Sequence, residues 1–142
     1  MACYVDTSVW VALLGREATA PRVARWMAQG LFMVTAQWTS VEVASALGIK
    51  ARRGELTQEM VSGICQAFRK LMAMGGVSME VNERTDFQEA ALLCEQVSHG
   101  LRAGDALHLA VAQRVGCTHF LSFDKALNRQ AEQMGFELVA LS

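Results

Sequence analysis

Four carboxylates stand in the sequence close to points where a buried strand is followed by a helix. Asp6 follows the apolar run at residues 2–5, and Asp124 directly follows the apolar run THFLSF. Glu42 lies in the first turn of a predicted helix that comes just after the run LFMVTA, and Asp105 lies in the first turns of the predicted helix RAGDALHLAVAQRVG. All four are embedded in apolar sequence, whereas acids that only cap helices usually have polar, solvated neighbours.

A divalent cation is the ligand that such a group of acids favours. Burying several like charges at one place costs on the order of several kcal/mol unless a cation compensates them. Mg²⁺ or Mn²⁺ suits a set of oxygen ligands, and waters held by such an ion can be activated to attack a phosphate. The hydroxyls of Thr7, Ser8 and Ser122 lie beside the acids and could orient a carboxylate or bond those waters, or they could simply cap strand ends.

Each acid also has a purely structural explanation. Thr39 and Glu42 have the spacing of a capping box, and Asp105 near a helix N-terminus is favoured by the helix dipole. Asp6 and Asp124 could each be the N-cap of the helix that follows. Capping accounts for any one of these acids alone, but it accounts less well for four of them in apolar surroundings.

The elements that must position these acids alternate between strand and helix. The predicted strands are CYV, LFMVTA, VSMEV, THFLSF and FELVAL, and helical segments lie between them. One of these helices is predicted to begin at a Thr85 cap, with a capping box to Gln88. The alternation predicts an α/β fold, a mainly parallel central sheet flanked by helices on both faces. In such a sheet a ligand site lies outside the carboxyl ends of the strands, at a topological switch point, where the four acids can converge.

Length and composition limit the number of domains and the class of protein. A chain of 142 residues with 52% hydrophobic residues predicts one domain, residues 1–142, with a sizeable core. No apolar run reaches membrane-spanning length and Asp6 interrupts the first one, so a cytoplasmic protein is expected. The net charge of −1 gives no global basic signature for nucleic acid. Neither the cysteines nor the histidines have zinc-site spacing, and the cysteines are predicted to be free thiols; the cysteines are Cys3, Cys65, Cys94 and Cys117.

Basic side chains mark the candidate surface for a polyanion. Arg102 stands just before Asp105, and Lys50, Arg52 and Arg53 end the helix that carries Glu42. Cations in a last helical turn also suit the helix dipole, so this second group has two equally good explanations.

One histidine and the tryptophans have competing interpretations. His108 follows Asp105 by three residues on nearly the same helical face, so it could act as a general base. A histidine packed beneath the site is the favoured interpretation, because metal-assisted hydrolysis needs no histidine. Trp10 and Trp26 fall on apolar helical faces and are expected to pack in the core or in a dimer interface, rather than to stack on bases.

Taken together, the four motifs resemble those of the PIN-domain nucleases, and among them the VapC-type toxins of toxin–antitoxin pairs. The resemblance covers essentially the whole chain. It begins with VDTSVWVAL and continues through TSVEVASAL and LRAGDALHLAVAQRVGC to FLSFDKALNRQAEQMG. The last motif usually has a hydroxyl residue, one spacer and then Asp, and here these are Ser122, Phe123 and Asp124.

The resemblance implies an Mg²⁺- or Mn²⁺-dependent endoribonuclease. Asp6, Glu42, Asp105 and Asp124 would hold one or two ions, and an activated water would attack the phosphodiester to leave a 5′ phosphate. The fourth acid could act through water. Members of this family commonly form homodimers, and a small cognate antitoxin inhibits them by occupying the active-site groove.

Two other functions fit parts of the pattern. In an aspartyl-phosphate hydrolase, Asp6 would attack phosphate as a nucleophile. Such enzymes usually carry a second acid two residues after the nucleophile, and here Ser8 stands at that position. In a non-catalytic interaction domain the acids would only cap helices, and replacing Asp6 by Asn would cost little stability.

Overall fold

Strands and helices alternate along the whole chain, as the sequence predicts. The computed structural model describes residues 1–142. Its strands are β1 Ala2–Val5, β2 Phe32–Ala36, β3 Val77–Glu80, β4 His119–Leu121 and β5 Glu137–Leu138. Its α-helices are α1 Thr7–Leu14, α2 Ala20–Met27, α3 Gln37–Arg52, α4 Gln58–Ala73, α5 Arg84–Glu95, α6 Ala103–Val115 and α7 Lys125–Gln133, with a 3₁₀ turn at Val97–His99.

The sheet has five strands in the order β3-β2-β1-β4-β5, and every neighbouring pair is parallel. In the central strand, Tyr4 is opposite Val34 on β2 and Phe120 on β4. The chain builds the sheet outward from β1 in one direction and then returns to add β4 and β5 on the other side. The switch point therefore lies between β1 and β4, and the predicted α/β fold is confirmed.

Alternation along the strands divides the core between the two faces of the sheet. Cys3 and Val5 belong to a buried cluster with Trp10 and Phe68, whose rings meet edge to face with centroids 6.0 Å apart. Tyr4 belongs to the other cluster, which includes residues of α6 and α7. Trp10 and Trp26 are both buried in the first cluster, as predicted. Helices thus cover both faces of the sheet.

The predicted start of α5 is wrong. Glu83, not Thr85, is the N-cap, and the capping box is closed by Asp86, whose Oδ2 accepts a 2.8 Å hydrogen bond from the Glu83 backbone N–H. Asp86 is buried and its Oδ1 also accepts a 2.9 Å hydrogen bond from Nε of Arg114 on α6. This contact with another helix sets the start of α5, because it gives the buried carboxylate a cationic partner.

The capping box that offered a structural explanation for Glu42 does not form. Helix α3 begins at Gln37, so Glu42 lies in its second turn and is free of any capping role. The Thr39 hydroxyl lies 2.8 Å from that of Thr35 instead. Likewise, β4 ends at Leu121, so Asp124 does not follow the strand directly. All four cysteines are free thiols. None of the helices combines the length and the apolar character of a membrane span.

Candidate active site

A pocket of about 350 Å³ opens at the carboxyl ends of β1 and β4. It lies at the topological switch point, where ligand sites of open parallel sheets form. Its lining includes Thr7, Ser8 and all of the predicted acids, which are Asp6, Glu42, Asp105 and Asp124. Four distant stretches of the chain thus deliver carboxylates to one concave surface.

Asp6 is the most deeply buried of the four acids, with 4% of its surface exposed. It is the N-cap of α1, and its Oδ1 accepts from the Ser8 backbone N–H at 2.9 Å and from the Ser8 hydroxyl at 2.6 Å. Its Oδ2 accepts a 2.8 Å hydrogen bond from the Ser122 hydroxyl. Burial raises the pKa of Asp6, although nearby His108 and the hydrogen bonds from Ser8 and Ser122 oppose that rise.

Asp105 and Asp124 face each other across the pocket from α6 and the start of α7. Burial raises the pKa of Asp105, and the nearby negative charges of Asp124 and Asp6 raise it further, against a hydrogen bond from the Arg102 backbone N–H. Asp124 is the N-cap of α7 and accepts a 2.8 Å hydrogen bond from the Leu127 N–H. The negative charge of Asp124 is therefore close enough to disfavour the ionised form of Asp105.

Glu42 has a different environment from the three aspartates. Its Oε1 accepts a 2.6 Å hydrogen bond from the Thr7 hydroxyl and contacts Nε2 of His108. Burial raises the pKa of the Glu42 carboxyl, but the hydrogen bonds from His108 and Thr7 outweigh burial, so its pKa lies below the ordinary value. Glu42 is thus the acid that the protein itself stabilises in the ionised form.

His108 lies beneath the pocket rather than in its opening. Only 1% of its surface is exposed, and the Tyr4 hydroxyl lies 2.5 Å from its Nδ1. This position agrees with the packed histidine that the sequence favours. With Glu42 on one ring nitrogen and Tyr4 on the other, both nitrogens have protein partners.

Gly104 brings the N-terminus of α6 against the Glu42 carboxylate. A Cβ at residue 104 would overlap Oε2 of Glu42 and would stand 3.0 Å from Nε1 of Trp38. Trp38 Nε1 is buried and makes no hydrogen bond, but it lies close enough to Glu42 to help lower its pKa. The absence of a side chain at Gly104 therefore lets α6 place Asp105 beside Glu42.

The donor set of the pocket fits a hard divalent cation. Asp6, Asp105 and Asp124 concentrate negative charge, and the pKa of Asp105 is raised by the other two. As the side chains stand, no group of three or more acidic, histidine or cysteine residues forms a ready-made metal site. Mg²⁺ is commonly held by one or two carboxylates together with water, so a closed set of protein ligands is not required. All of the candidate ligands here are oxygens, which suits Mg²⁺ or Mn²⁺.

The predicted basic residues occupy different environments. Lys50 Nζ lies 2.7 Å from Oε1 of Glu17, a residue that itself lines the pocket, so its charge is already paired. Arg52 and Arg53 are exposed at the end of α3. Arg102 is exposed and is the N-cap residue of α6, three residues before Asp105 at the third position of the helix. Of these residues, Arg102 is therefore the one nearest in sequence to the acids.

Sequence reasoning missed several residues of the site. It gave no role to Tyr4, Gly104 or Glu17, and it did not single out the exposed ring of Phe123, which also lines the pocket. The Phe123 backbone N–H donates a 3.0 Å hydrogen bond to the Ser8 hydroxyl, which holds the Ser122–Asp124 segment against α1. A tyrosine in an otherwise aliphatic strand was the available signal for a buried polar partner, because a buried hydroxyl usually finds one.

The parallel sheet and the acidic pocket at its switch point define the class of protein. The family model described as the PIN domain matches residues 3–133. The chain therefore belongs to the PIN-domain family, as the four acidic motifs indicate. Among curated proteins, none matches the sequence.

Solved structures of low sequence identity share this fold. VapC20 from Mycobacterium tuberculosis, described as a toxin that cleaves the sarcin-ricin loop, superposes with a TM-score of 0.72 at 20% identity, over 90% of this chain and 94% of that one. PAE2754 from Pyrobaculum aerophilum gives a TM-score of 0.66 at 20% identity, over 98% and 90%. VapBC2 from Rickettsia felis, bound to a DNA fragment from its promoter, gives 0.67 at 8% identity, over all of both chains.

Proposed function

We propose that the chain is a metal-dependent endoribonuclease and the toxin of a type II toxin–antitoxin pair, with residues 1–142 forming one nuclease domain that acts in the cytoplasm. The carrying observation is the convergence of Asp6, Asp105 and Asp124 on one pocket, where burial and then the charges of the other two aspartates raise the pKa of Asp105. A partly buried carboxylate beside like charges needs a compensating cation. Membership of the PIN-domain family supports the same function.

In this proposal the acids hold Mg²⁺ or Mn²⁺, and the hydroxyls orient the acids. Asp6, Asp105, Asp124 and Glu42 are the ligands, directly or through water. When bound, the ion supplies an activated water and stabilises negative charge on the phosphate. Ser8 and Ser122 fix both oxygens of Asp6, and Arg102 binds the RNA backbone near the pocket, as a cation that pairs with phosphate.

The other two functions find less support. Both oxygens of Asp6 already accept hydrogen bonds, from Ser8 and from Ser122, which suits an oriented ligand better than a free nucleophile. Asp6 and Asp124 do cap α1 and α7, as an interaction domain would need. Glu42, however, lies in the second turn of α3 and caps nothing.

The partners follow from the family and from its solved relatives. We infer an RNA substrate, a homodimer and a cognate antitoxin, since the fold matches VapC20 and VapBC2 at TM-scores of 0.72 and 0.67. If the inferred antitoxin exists, adding the protein encoded by a small upstream reading frame should abolish cleavage. Light scattering of the purified chain reports the homodimer directly, and a monomer at all concentrations would count against it.

The decisive experiment is cleavage of total RNA by purified, antitoxin-free protein with Mg²⁺ or Mn²⁺. Discrete fragments with 5′ phosphates are expected, and they should vanish with EDTA and in Asp105→Asn. Glu89→Gln, which removes an exposed acid from the middle of α5, is the matched control and should cleave like wild type. Fragments that persist in Asp105→Asn, or no cleavage by folded wild-type protein, would contradict the proposal.

A further inference from the structure

A line of buried side chains connects the central strand to the Glu42 carboxylate. The Tyr4 hydroxyl lies 2.5 Å from Nδ1 of His108, and Nε2 of His108 contacts Oε1 of Glu42. Tyr4 is fully buried and His108 is 1% exposed. The activity described above assigns no chemistry to either residue, and the contacts with each other and with Glu42 offset the cost of burying these polar groups.

The Tyr4 hydroxyl and the Glu42 carboxylate favour the same tautomer of His108, because Glu42 can only accept a hydrogen bond from Nε2. A tyrosine hydroxyl on Nδ1 can donate to that nitrogen, and a neutral imidazole then carries its single N–H on Nε2. Nε2 is the atom that contacts Glu42. The hydrogen bond at one end of the ring thus provides a donor at the other.

The rotation of the Tyr4 ring is itself fixed by packing. Its ring stacks on Phe120 of β4 with centroids 5.3 Å apart, and it meets the His108 ring edge to face at 5.5 Å. Phe120 and Tyr4 are direct neighbours across the parallel pair β1 and β4. The sheet therefore positions the hydroxyl, and the hydroxyl positions the imidazole.

The Glu42 carboxylate is contacted on both of its oxygens. On one side, Oε1 accepts from Thr7 at 2.6 Å and contacts His108. On the other side, Oε2 lies against Gly104, where even a methyl group would overlap it. A glutamate side chain is otherwise free about several bonds, so contacts on both sides reduce it to one orientation.

We propose that Tyr4 and His108 are positioning residues that hold Glu42 in the single orientation in which its carboxylate can act as a ligand in the acidic pocket. This inference rests on the proposed function in that the pocket holds a divalent cation. His108 neither binds the ion nor moves a proton in the reaction; it acts through Glu42. Partners that orient a ligating carboxylate typically change metal affinity or activity by about 10–100-fold when they are removed.

The first test is the affinity of the apo protein for Mn²⁺, measured by isothermal titration calorimetry. His108→Leu removes the donor and keeps an apolar side chain of similar size, and it should weaken binding by roughly 10-fold or more. His108→Gln carries an amide N–H near the position of Nε2 and should recover most of that loss. His99→Leu, which removes a histidine from the 3₁₀ turn, is the matched control and should bind like wild type.

Tyr4→Phe tests the contact between the Tyr4 hydroxyl and His108 separately. It removes one hydroxyl and leaves the stacked ring, and thermal unfolding of each variant verifies that it is folded. In wild type, ¹⁵N spectra should show His108 with a bare Nδ1 and a protonated Nε2. In Tyr4→Phe the His108 ring loses its partner on Nδ1 and is held on one side only, so Mn²⁺ affinity should fall in the same direction as in His108→Leu.

The outcomes separate this inference from the proposed function. Equal Mn²⁺ affinity in wild type, His108→Leu and Tyr4→Phe overturns the positioning role, as does a His108→Gln variant as weak as His108→Leu. Wild-type protein that binds Mn²⁺ but cleaves no RNA contradicts the nuclease activity, and the affinity series still decides the positioning role. If wild type binds no Mn²⁺ at all, the inference fails together with the metal site.

Discussion

Ser122 Oγ donates a 2.8 Å hydrogen bond to Oδ2 of Asp6, although the two residues are 116 positions apart in sequence. The same hydroxyl accepts a 2.9 Å hydrogen bond from the Asp124 backbone N–H. One side chain at the end of β4 thus connects two of the acids of the pocket. Its position follows from the parallel pairing of β1 and β4, in which Val5 is opposite Leu121.

Replacing Ser122 by Ala should destabilise the fold and disturb the pocket. The change removes a hydrogen bond to a buried carboxylate, which is worth about 1.5–3 kcal/mol. Urea unfolding measures the loss, and Ser122→Thr, which keeps the hydroxyl, should recover most of it. Ser45→Ala, an exposed position on α3, is the control and should change stability little. A Ser122→Ala variant as stable as wild type would show that the bond to Asp6 contributes nothing.

Two glycines in helices should respond to alanine in opposite directions. At Gly63 in α4 a Cβ meets nothing within 4 Å, so Gly63→Ala should stabilise the protein by about 0.5–1 kcal/mol. At Gly104 a Cβ overlaps the Glu42 carboxylate, so Gly104→Ala should destabilise the protein and weaken Mn²⁺ binding. Chemical denaturation of both variants gives the comparison. Equal stabilisation by the two changes would mean that α6 has room to move away from Glu42.

The free energy of unfolding should depend on pH in the way expected for an acid, Asp105, whose pKa is raised in the folded protein. Its pKa is raised in the folded protein, so between its unfolded and folded pKa values the folded state binds more protons than the unfolded chain. Stability from this residue is therefore highest at acid pH and falls as pH rises through the raised pKa. In EDTA, Asp105→Asn should be more stable than wild type at neutral pH.

The difference in stability between Asp105→Asn and wild type should shrink as pH falls through the raised pKa of Asp105. At that pH Asp105 is protonated, and a protonated Asp is similar to Asn. Denaturant unfolding of both proteins across mildly acidic to neutral pH measures it, and Glu89→Gln should give no such trend. A difference in the free energy of unfolding between wild type and Asp105→Asn that stays constant with pH would contradict a raised pKa of Asp105 in the folded protein.

Sequence alone predicted the parts of the fold that depend on local pattern. The alternation of strands and helices and the order of the four acidic motifs follow from periodicity and from residues that are neighbours in sequence. The placement of Asp6 and Asp105 at the carboxyl edge of the sheet then follows from parallel topology. Both were predictable because no side-chain contact had to be known.

The errors and omissions all involve contacts between distant residues. Thr85 satisfies the local spacing of an N-cap, but Asp86 is bound by Arg114 from α6, and that contact moves the start of α5 to Arg84. Thr39 and Glu42 also have capping-box spacing, but Glu42 is bound by His108, 66 positions away. Local spacing shows which pairs are possible, and only the packing of helices against the sheet decides which pairs form.

The most direct test of the central claim is the thermal unfolding midpoint of wild type and Asp105→Asn with and without Mn²⁺. The acidic pocket predicts a reversal: in EDTA the variant is the more stable, because it lacks the repulsion, and in Mn²⁺ wild type gains stability and overtakes it. A ligand that binds only the folded state stabilises it by about 2.7 kcal/mol at a concentration 100-fold above its dissociation constant. An unchanged rank order, with no gain for wild type in saturating Mn²⁺, would contradict a divalent-cation site in this pocket.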